Sequence, residues 1–365
     1  MASPEKELNS NNGVEQGSFQ EIDEQAQNRR ERLILIVLIV LLVLAVLFSV
    51  GIGRFGISPA EVISIFKAWI TGQTDFSNNP TEVVVLLVRL PRILLCMMVG
   101  AALSISGAAY QGLFRNPMVS PDILGVSAGA GVGASIAIIL GLPSVSVQVM
   151  AFGFGMAAVF LVMGLASAIG RGNPATLIMV LAGIVVGSLF GSCSSLLKYL
   201  ADAQSRLPDV VFWLMGSFAK SGSYGNVLIM FIVLLAGSIP LYLMRWQMNV
   251  LAFGEEEAQA MGVNPRRLRL IIILCSTLLT ACSVAFCGTI GWVGLVIPHI
   301  TRFIVGPNYK ALLPTAILLG ALFMLVVDDF ARTLIAGEIP VGVITSIVGA
   351  PLFIYLLFKS RRVWV

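Results

Sequence analysis

Histidine occurs once in the 365 residues, at His299, and only 12% of the chain is charged. A metal centre built from several histidines is thereby excluded, and a membrane-embedded Ser/His hydrolase would have to use His299, for which a structural role is the simpler reading. The five cysteines (Cys96, Cys193, Cys275, Cys282 and Cys287) lie in apolar stretches without CxxC spacing, so they read as small buried hydrophobes. No Gly-Lys dipeptide occurs, so there is no P-loop, and any use of ATP falls to another subunit. Soluble domains carry about 25% charged residues, twice what is found here. What fills the chain instead is 57% hydrophobic residues, with a mean hydropathy of +0.93. No water-soluble fold covers that excess, which excludes a soluble enzyme, a secreted disulfide scaffold and a nucleic-acid-binding domain. The pattern is that of an all-α polytopic membrane protein.

Ten apolar segments are long enough to be candidate spans: 33–53, 92–113, 122–141, 147–169, 175–197, 224–244, 268–287, 290–305, 311–334 and 341–358. The segment at 290–305 is short and carries Pro298. Residues 1–32 are polar, rich in Glu, Gln and Asn, and read as a disordered cytoplasmic tail ahead of a single transmembrane domain over 33–362. If Arg29, Arg30 and Arg32 hold the N-terminus inside, ten spans return the C-terminus inside as well. Fifteen of the 23 basic residues then fall on inner segments, as the positive-inside rule expects. Asp122, Asp328, Asp329 and Glu338 all fall near span ends. Ion-coupled carriers usually place acidic groups or broken helices mid-membrane, so this placement disfavours the main alternative, a secondary carrier or channel without an ATPase.

The outer basic residues run against that charge bias. Arg89 and Arg92 flank Leu90-Pro91 at the mouth of the second span, and Arg332 closes the ninth. Outer arginines are able to dock an acidic partner through their planar fork of donors, or to snorkel, or to pair with Asp328 and Asp329. The fifth span carries Gly183, Gly187, Ser188, Gly191, Ser192 and Ser195, which leave one side without bulk. Such a helix either packs tightly or lines a wide, weakly polar passage.

Between the sixth and seventh spans, residues 248–265 contain Gly254-Glu255-Glu256-Glu257-Ala258-Gln259-Ala260-Met261-Gly262. Three glutamates fill a first helical turn, where the helix dipole favours negative charge, and Gly262 is placed as the residue after the helix, with Pro265 following. The spacing predicts a helix of about two turns with Ala258 and Met261 on one face. A helix that short is not stable alone in water, so it leans on this protein or on a partner.

Several runs carry a resemblance: Arg89-Leu90-Pro91-Arg92; Gly107 to Val126 through Asn116-Pro117-Met118; Phe212 to Ser217; Gly291-Trp292-Val293-Gly294 to Pro298-His299; and Glu338-Ile339-Pro340-Val341-Gly342 to Pro351. In order and spacing the chain over about 55–360 resembles the FecCD/BtuC-type permeases of bacterial and archaeal ABC importers for iron–siderophores, haem and vitamin B12. The resemblance implies ten spans with short extra helices in outer and inner loops, in the cytoplasmic membrane. It also implies a second permease subunit (a homodimer is favoured), two ATPase subunits that hold ATP and Mg, and an extracytoplasmic substrate-binding protein. This chain itself is then a transport subunit, without catalytic residues, cofactor or metal. On that resemblance Gly254, Glu255, Glu256, Glu257, Ala258, Met261 and Gly262 form the ATPase coupling helix. Asn116, Pro117 and Met118, with Asn173, Pro174, Ala175 and Thr176, fall on the inner gates. Gly183, Gly187, Ser188, Gly191, Ser192 and Ser195 line the pathway, and Arg89, Arg92 and Arg332 meet glutamates of the binding protein. The implied cargo is a metal chelate, iron–siderophore first, with haem or cobalamin next.

Overall fold

The computed structural model describes residues 5–53, 56–76, 79–170, 176–335 and 337–360, apart from the side chains of 5–24, 357, 359 and 360. Every regular element among them is helical. In order they are α1 (Glu5–Gly51), α2 (Pro59–Ile70), α3 (Pro80–Glu82), a π-helical stretch (Val83–Arg89), α4 (Leu90–Leu113), a 3-10 turn (Pro121–Leu124), α5 (Val126–Ile139), α6 (Ser144–Ile169), α7 (Thr176–Leu200), α8 (Arg206–Leu214), α9 (Tyr224–Leu243), α10 (Arg245–Leu251), α11 (Glu255–Ala260), α12 (Pro265–Cys287), α13 (Val293–Val305), α14 (Tyr309–Thr333) and α15 (Val341–Ser360). Each of the ten expected spans has its helix. Seven helices are long and apolar enough to cross a membrane, and α5, α13 and α15 are shorter apolar helices.

Three sequence expectations are corrected. Residues 5–32 are not separate from the first span but continue it as α1. A span is a ready nucleus, and Glu, Gln, Arg and Ala extend a helix at little cost. The third span does not run regularly from 122. Ser120 caps a 3-10 turn, Gly125 takes φ 80°, and only then does the 14-residue α5 begin. At 1.5 Å per residue, α5 is about 21 Å long, short of the roughly 30 Å of hydrocarbon. The second span starts earlier than 92, because α3 and the π-helical stretch carry the helix back to Pro80. Pro91 explains the widened turn: it has no N–H to donate, and its ring pushes on the preceding turn.

Local signals set the other ends. Ser58 and Glu61 form a capping box ahead of α2, and Asn264 and Asn308 cap α12 and α14 through their side chains. The core is built by α4, α12 and α14, whose apolar windows are 61–72% buried, whereas α1, α7 and α9 are only 17–22% buried and form the periphery. Glycine permits the closest crossings. A Cβ on Gly107 of α4 would overlap the Gly294 carbonyl of α13, and Gly100 and Gly320 face each other in the same way where α4 crosses α14. Gly129 and Gly133 likewise sit against the α6 backbone at Phe154 and Met150.

Candidate functional site

The two ends of the bundle differ in chemistry. At the end where α4 finishes and α14 begins, polar bonds are mostly amide in character. Gln111 donates to the Leu295 carbonyl (3.1 Å) and accepts from Arg302 (2.7 Å), and Asn249 of α10 spans to Asn308 (2.9 Å) and to the Tyr309 amide (3.0 Å). The segment from α10 to α12 projects at this end. α11 starts from Gly254 at φ 145° and closes with Gly262 at φ 80°. Val263 N–H bonds back to the Ala258 carbonyl (2.9 Å) and Gly262 N–H to Gln259 (3.0 Å), a paired C-terminal cap in which Val263 and Ala258 are both buried. Met261 does not share the buried face of Ala258 as the spacing implies. The helix stops at Ala260, the chain turns left-handed at Gly262, and Met261 is left 55% exposed. With Phe253 at 77% exposure and Glu256 and Glu257 also exposed, the segment presents an apolar and acidic tip. Glu255 turns the other way and pairs with the buried Arg269 of α12.

Asn116, Pro117 and Met118 form a tight turn after α4 at the same end. Arg115 takes φ 47°, Asn116 Oδ1 accepts from the Met118 amide (2.9 Å), and Met118 is exposed. Thr176 is the half-buried first residue of α7, and Asn173, Pro174 and Ala175 lie outside the described residues.

The small residues of the fifth span divide. Gly183 packs against the Ile123 backbone, whereas among the described residues nothing stands within 4 Å of a Cβ at Gly187 or Gly191. Ser188, Gly191, Ser192 and Ser195 are exposed, and Ser192 and Ser195 spend their hydroxyl protons on the carbonyls of Ser188 and Gly191 (both 3.0 Å). Leu181, Ile184, Val185 and Leu189 are also more than half exposed. This face of α7 is therefore unpartnered within one chain, weakly polar and uncharged.

The opposite end carries ions. Arg92 forks onto both oxygens of Asp328 (3.0 and 2.8 Å) and reaches Glu338 (2.8 Å). Arg332 bonds the Ser49 carbonyl and hydroxyl (2.7 and 2.6 Å) and Asp329, and Arg89 donates to the Val50 carbonyl (2.6 Å). All three arginines are at most 8% exposed. The expectation that they point outward to an acidic partner is corrected. They are turned inward to tie α1, α4 and α14 together, because Asp328 and Asp329 on the neighbouring helix face offer a partner inside the chain. His299 is buried beside Phe303 and Phe353 (ring centroids 5.2 and 6.3 Å), and neither ring nitrogen has a hydrogen-bond partner among the described residues.

A ten-helix bundle with an acidic-apolar tip at one end and an unpartnered passage-like face has a match among protein families: residues 41–359 fit the model of the FecCD transport family. The chain belongs to that family. The Haemophilus influenzae molybdate import system permease protein MolB is 41% identical over 316 residues, covering 87% of this chain and 92% of that protein. The Yersinia pestis hemin transport system permease protein HmuU is 38% identical, covering 87% and 93%. A solved ABC transporter described as being of the metal-chelate type, in an inward-facing conformation, superposes with a TM-score of 0.79 at 39% identity, over 89% of this chain and 99% of its own. This FecCD-type chain is thus a multi-pass permease subunit of an ABC importer. Arg269, Asn249 and Gln111 were not singled out by sequence; their partners lie 14, 59 and 191 positions away. The short polar run before Pro265 was the only signal that bore on the first of them.

Proposed function

We propose that the chain pairs with a second permease subunit, most simply a copy of itself, and that two ATPase subunits dock on residues 248–265. Its membrane is then the cytoplasmic membrane with both termini inside, which the placement of 15 of 23 basic residues supports. ATP and Mg belong to the ATPase subunits. An extracytoplasmic binding protein delivers the cargo, and alternating access moves it inward. The exposed tip of Phe253, Glu256, Glu257 and Met261 carries the reading. It is a short helix flanked by two uncovered apolar side chains, Phe253 and Met261, at the end of the bundle richest in arginine loops.

The proposed cargo is a metal held by an organic chelator, iron–siderophore foremost. The uncharged face of α7 supports a bulky, already-ligated metal, since it offers no charge to retain one and the hydroxyls of Ser192 and Ser195 are already bonded within the helix. Gly191→Leu is expected to leave thermal unfolding within about 0.5 kcal/mol of wild type, as exposed substitutions do. Uptake of ferric siderophore into vesicles is expected to fall by an order of magnitude, because the leucine fills the passage. Unimpaired uptake would remove α7 from the pathway.

Removal of Glu255–Gly262 tests the docking reading. The partner ATPase subunit is expected to lose co-purification, while the deletion protein keeps its oligomeric state. Unchanged association and ATP turnover would overturn it.

A further inference from the structure

The coupling tip is fastened to the bundle at two points of different kind. Asn249 ties the incoming helix α10 to the start of α14 through neutral amide bonds of 2.9 and 3.0 Å. Glu255, the first residue of α11, ties the outgoing side to Arg269, which lies in the second turn of α12. The side chain of Arg269 is only 9% exposed and that of Glu255 39%, so the cation is the buried, fixed member and the carboxylate the one at the water boundary. α12 is the most buried of the long helices, and it packs on α4, α5, α6 and α9. A displacement of α11 therefore bears on the core through the Glu255–Arg269 pair as well as the buried Ala258 and Val263, while Asn249 holds α10 to α14.

We infer that Arg269 is the positioning residue of the coupling segment, transmitting movement of α11 into α12 through Glu255. The inference rests on the ATPase-docking reading above. Charge-assisted bonds are shorter and stronger than neutral ones, which suits a strut that has to bear load in both directions. Ala258 and Val263 close the same unit from the apolar side. The six-residue α11 has no stability of its own in water, so its position depends on these contacts with α12.

The experiment compares Arg269→Gln, the charge exchange Glu255→Arg with Arg269→Glu, and the Glu255–Gly262 deletion, each in vesicles with the ATPase subunit. Ferric siderophore uptake and ATP hydrolysis are measured on the same preparation. Arg269→Gln is expected to keep the ATPase bound and hydrolysing, while uptake per ATP falls about tenfold, the equivalent of one lost charge-assisted bond. The exchange is expected to recover most of that ratio. Wild-type uptake per ATP in Arg269→Gln overturns the inference and leaves docking intact. Should Arg269→Gln not fold, the exchange decides: a folded exchange protein with restored coupling supports the strut, and a folded but uncoupled one overturns it. If the deletion retains the ATPase, the docking reading itself falls.

Discussion

Asp328→Ala is expected to lower the unfolding free energy by about 3–5 kcal/mol, the range for breaking a buried ion pair by removing one side. Asp328 has no exposed surface, and it accepts hydrogen bonds from two Arg92 nitrogens, Nε and Nη2, while Arg332 lies 3.9 Å away. Its loss leaves two guanidiniums in an apolar environment with Asp329 and Glu338 as their remaining counter-charges. Asp329 is already engaged by Arg332 and the Ser49 hydroxyl, and Glu338 reaches only a single Arg92 nitrogen, so the pairing that Asp328 gives both arginines is lost. Asp328→Asn keeps the shape and one acceptor, so its loss should be smaller than that of Ala. Denaturant unfolding in mild detergent, followed by tryptophan fluorescence, gives the comparison. A loss below about 1 kcal/mol for the alanine variant would show that water reaches the cluster, as it does for exposed pairs.

Gly107→Val is expected to abolish the folded protein altogether. Overpacking between side chains usually costs about 1–3 kcal/mol, because neighbouring rotamers give way. Here the obstacle is backbone: the added Cβ would enter the Gly294 carbonyl, and a Cβ on Gly294 would meet the Pro121 ring and the Leu103 carbonyl. Relief requires moving α13 off α4, which exposes the apolar surface that holds both. Size-exclusion profiles of purified protein and the yield from membranes read this directly. Gly191→Leu serves as the internal comparison, with a larger side chain whose Cβ has no atom of the described residues within 4 Å. A monodisperse, wild-type-like Gly107→Val protein would mean that α4 and α13 are not in contact.

The fold was legible where one physical signal dominates. Twenty-residue apolar runs fixed the long helices, and Gly262 with Pro265 marked where α11 ends, although α12 begins at Pro265 itself, three residues before the expected span. Two features were not legible. The wide π-helical turn follows from Pro91, but periodicity alone does not reveal an inserted residue. The division of the glycines on α7 depends on which neighbours arrive: Gly183 meets the turn at Ile123, while a Cβ at Gly187 or Gly191, four and eight residues on, would meet none of the described residues. Sequence gives all three the same character.

The arginines show the same limit more sharply. An outer arginine reads equally as a docking group or as half of an internal pair. Arg92 and Asp328 are 236 positions apart, and only the crossing of α4 on α14 brings them together. Once that crossing is known, desolvation decides the matter, since a buried carboxylate needs a cation beside it.

That cluster has an electrical consequence. Arg89, Arg92 and Arg332 carry three positive charges, and Asp328, Asp329 and Glu338 carry three negative ones. Moving one elementary charge fully across the membrane exchanges about 2.3 kcal/mol per 100 mV with the potential. A group of six ions that sums to zero exchanges none when it moves as a unit. Carried along the membrane normal as a unit, the ionic end of the bundle therefore does no net work against the resting voltage; only a change in its orientation, through the dipole of the separated charges, couples to the field.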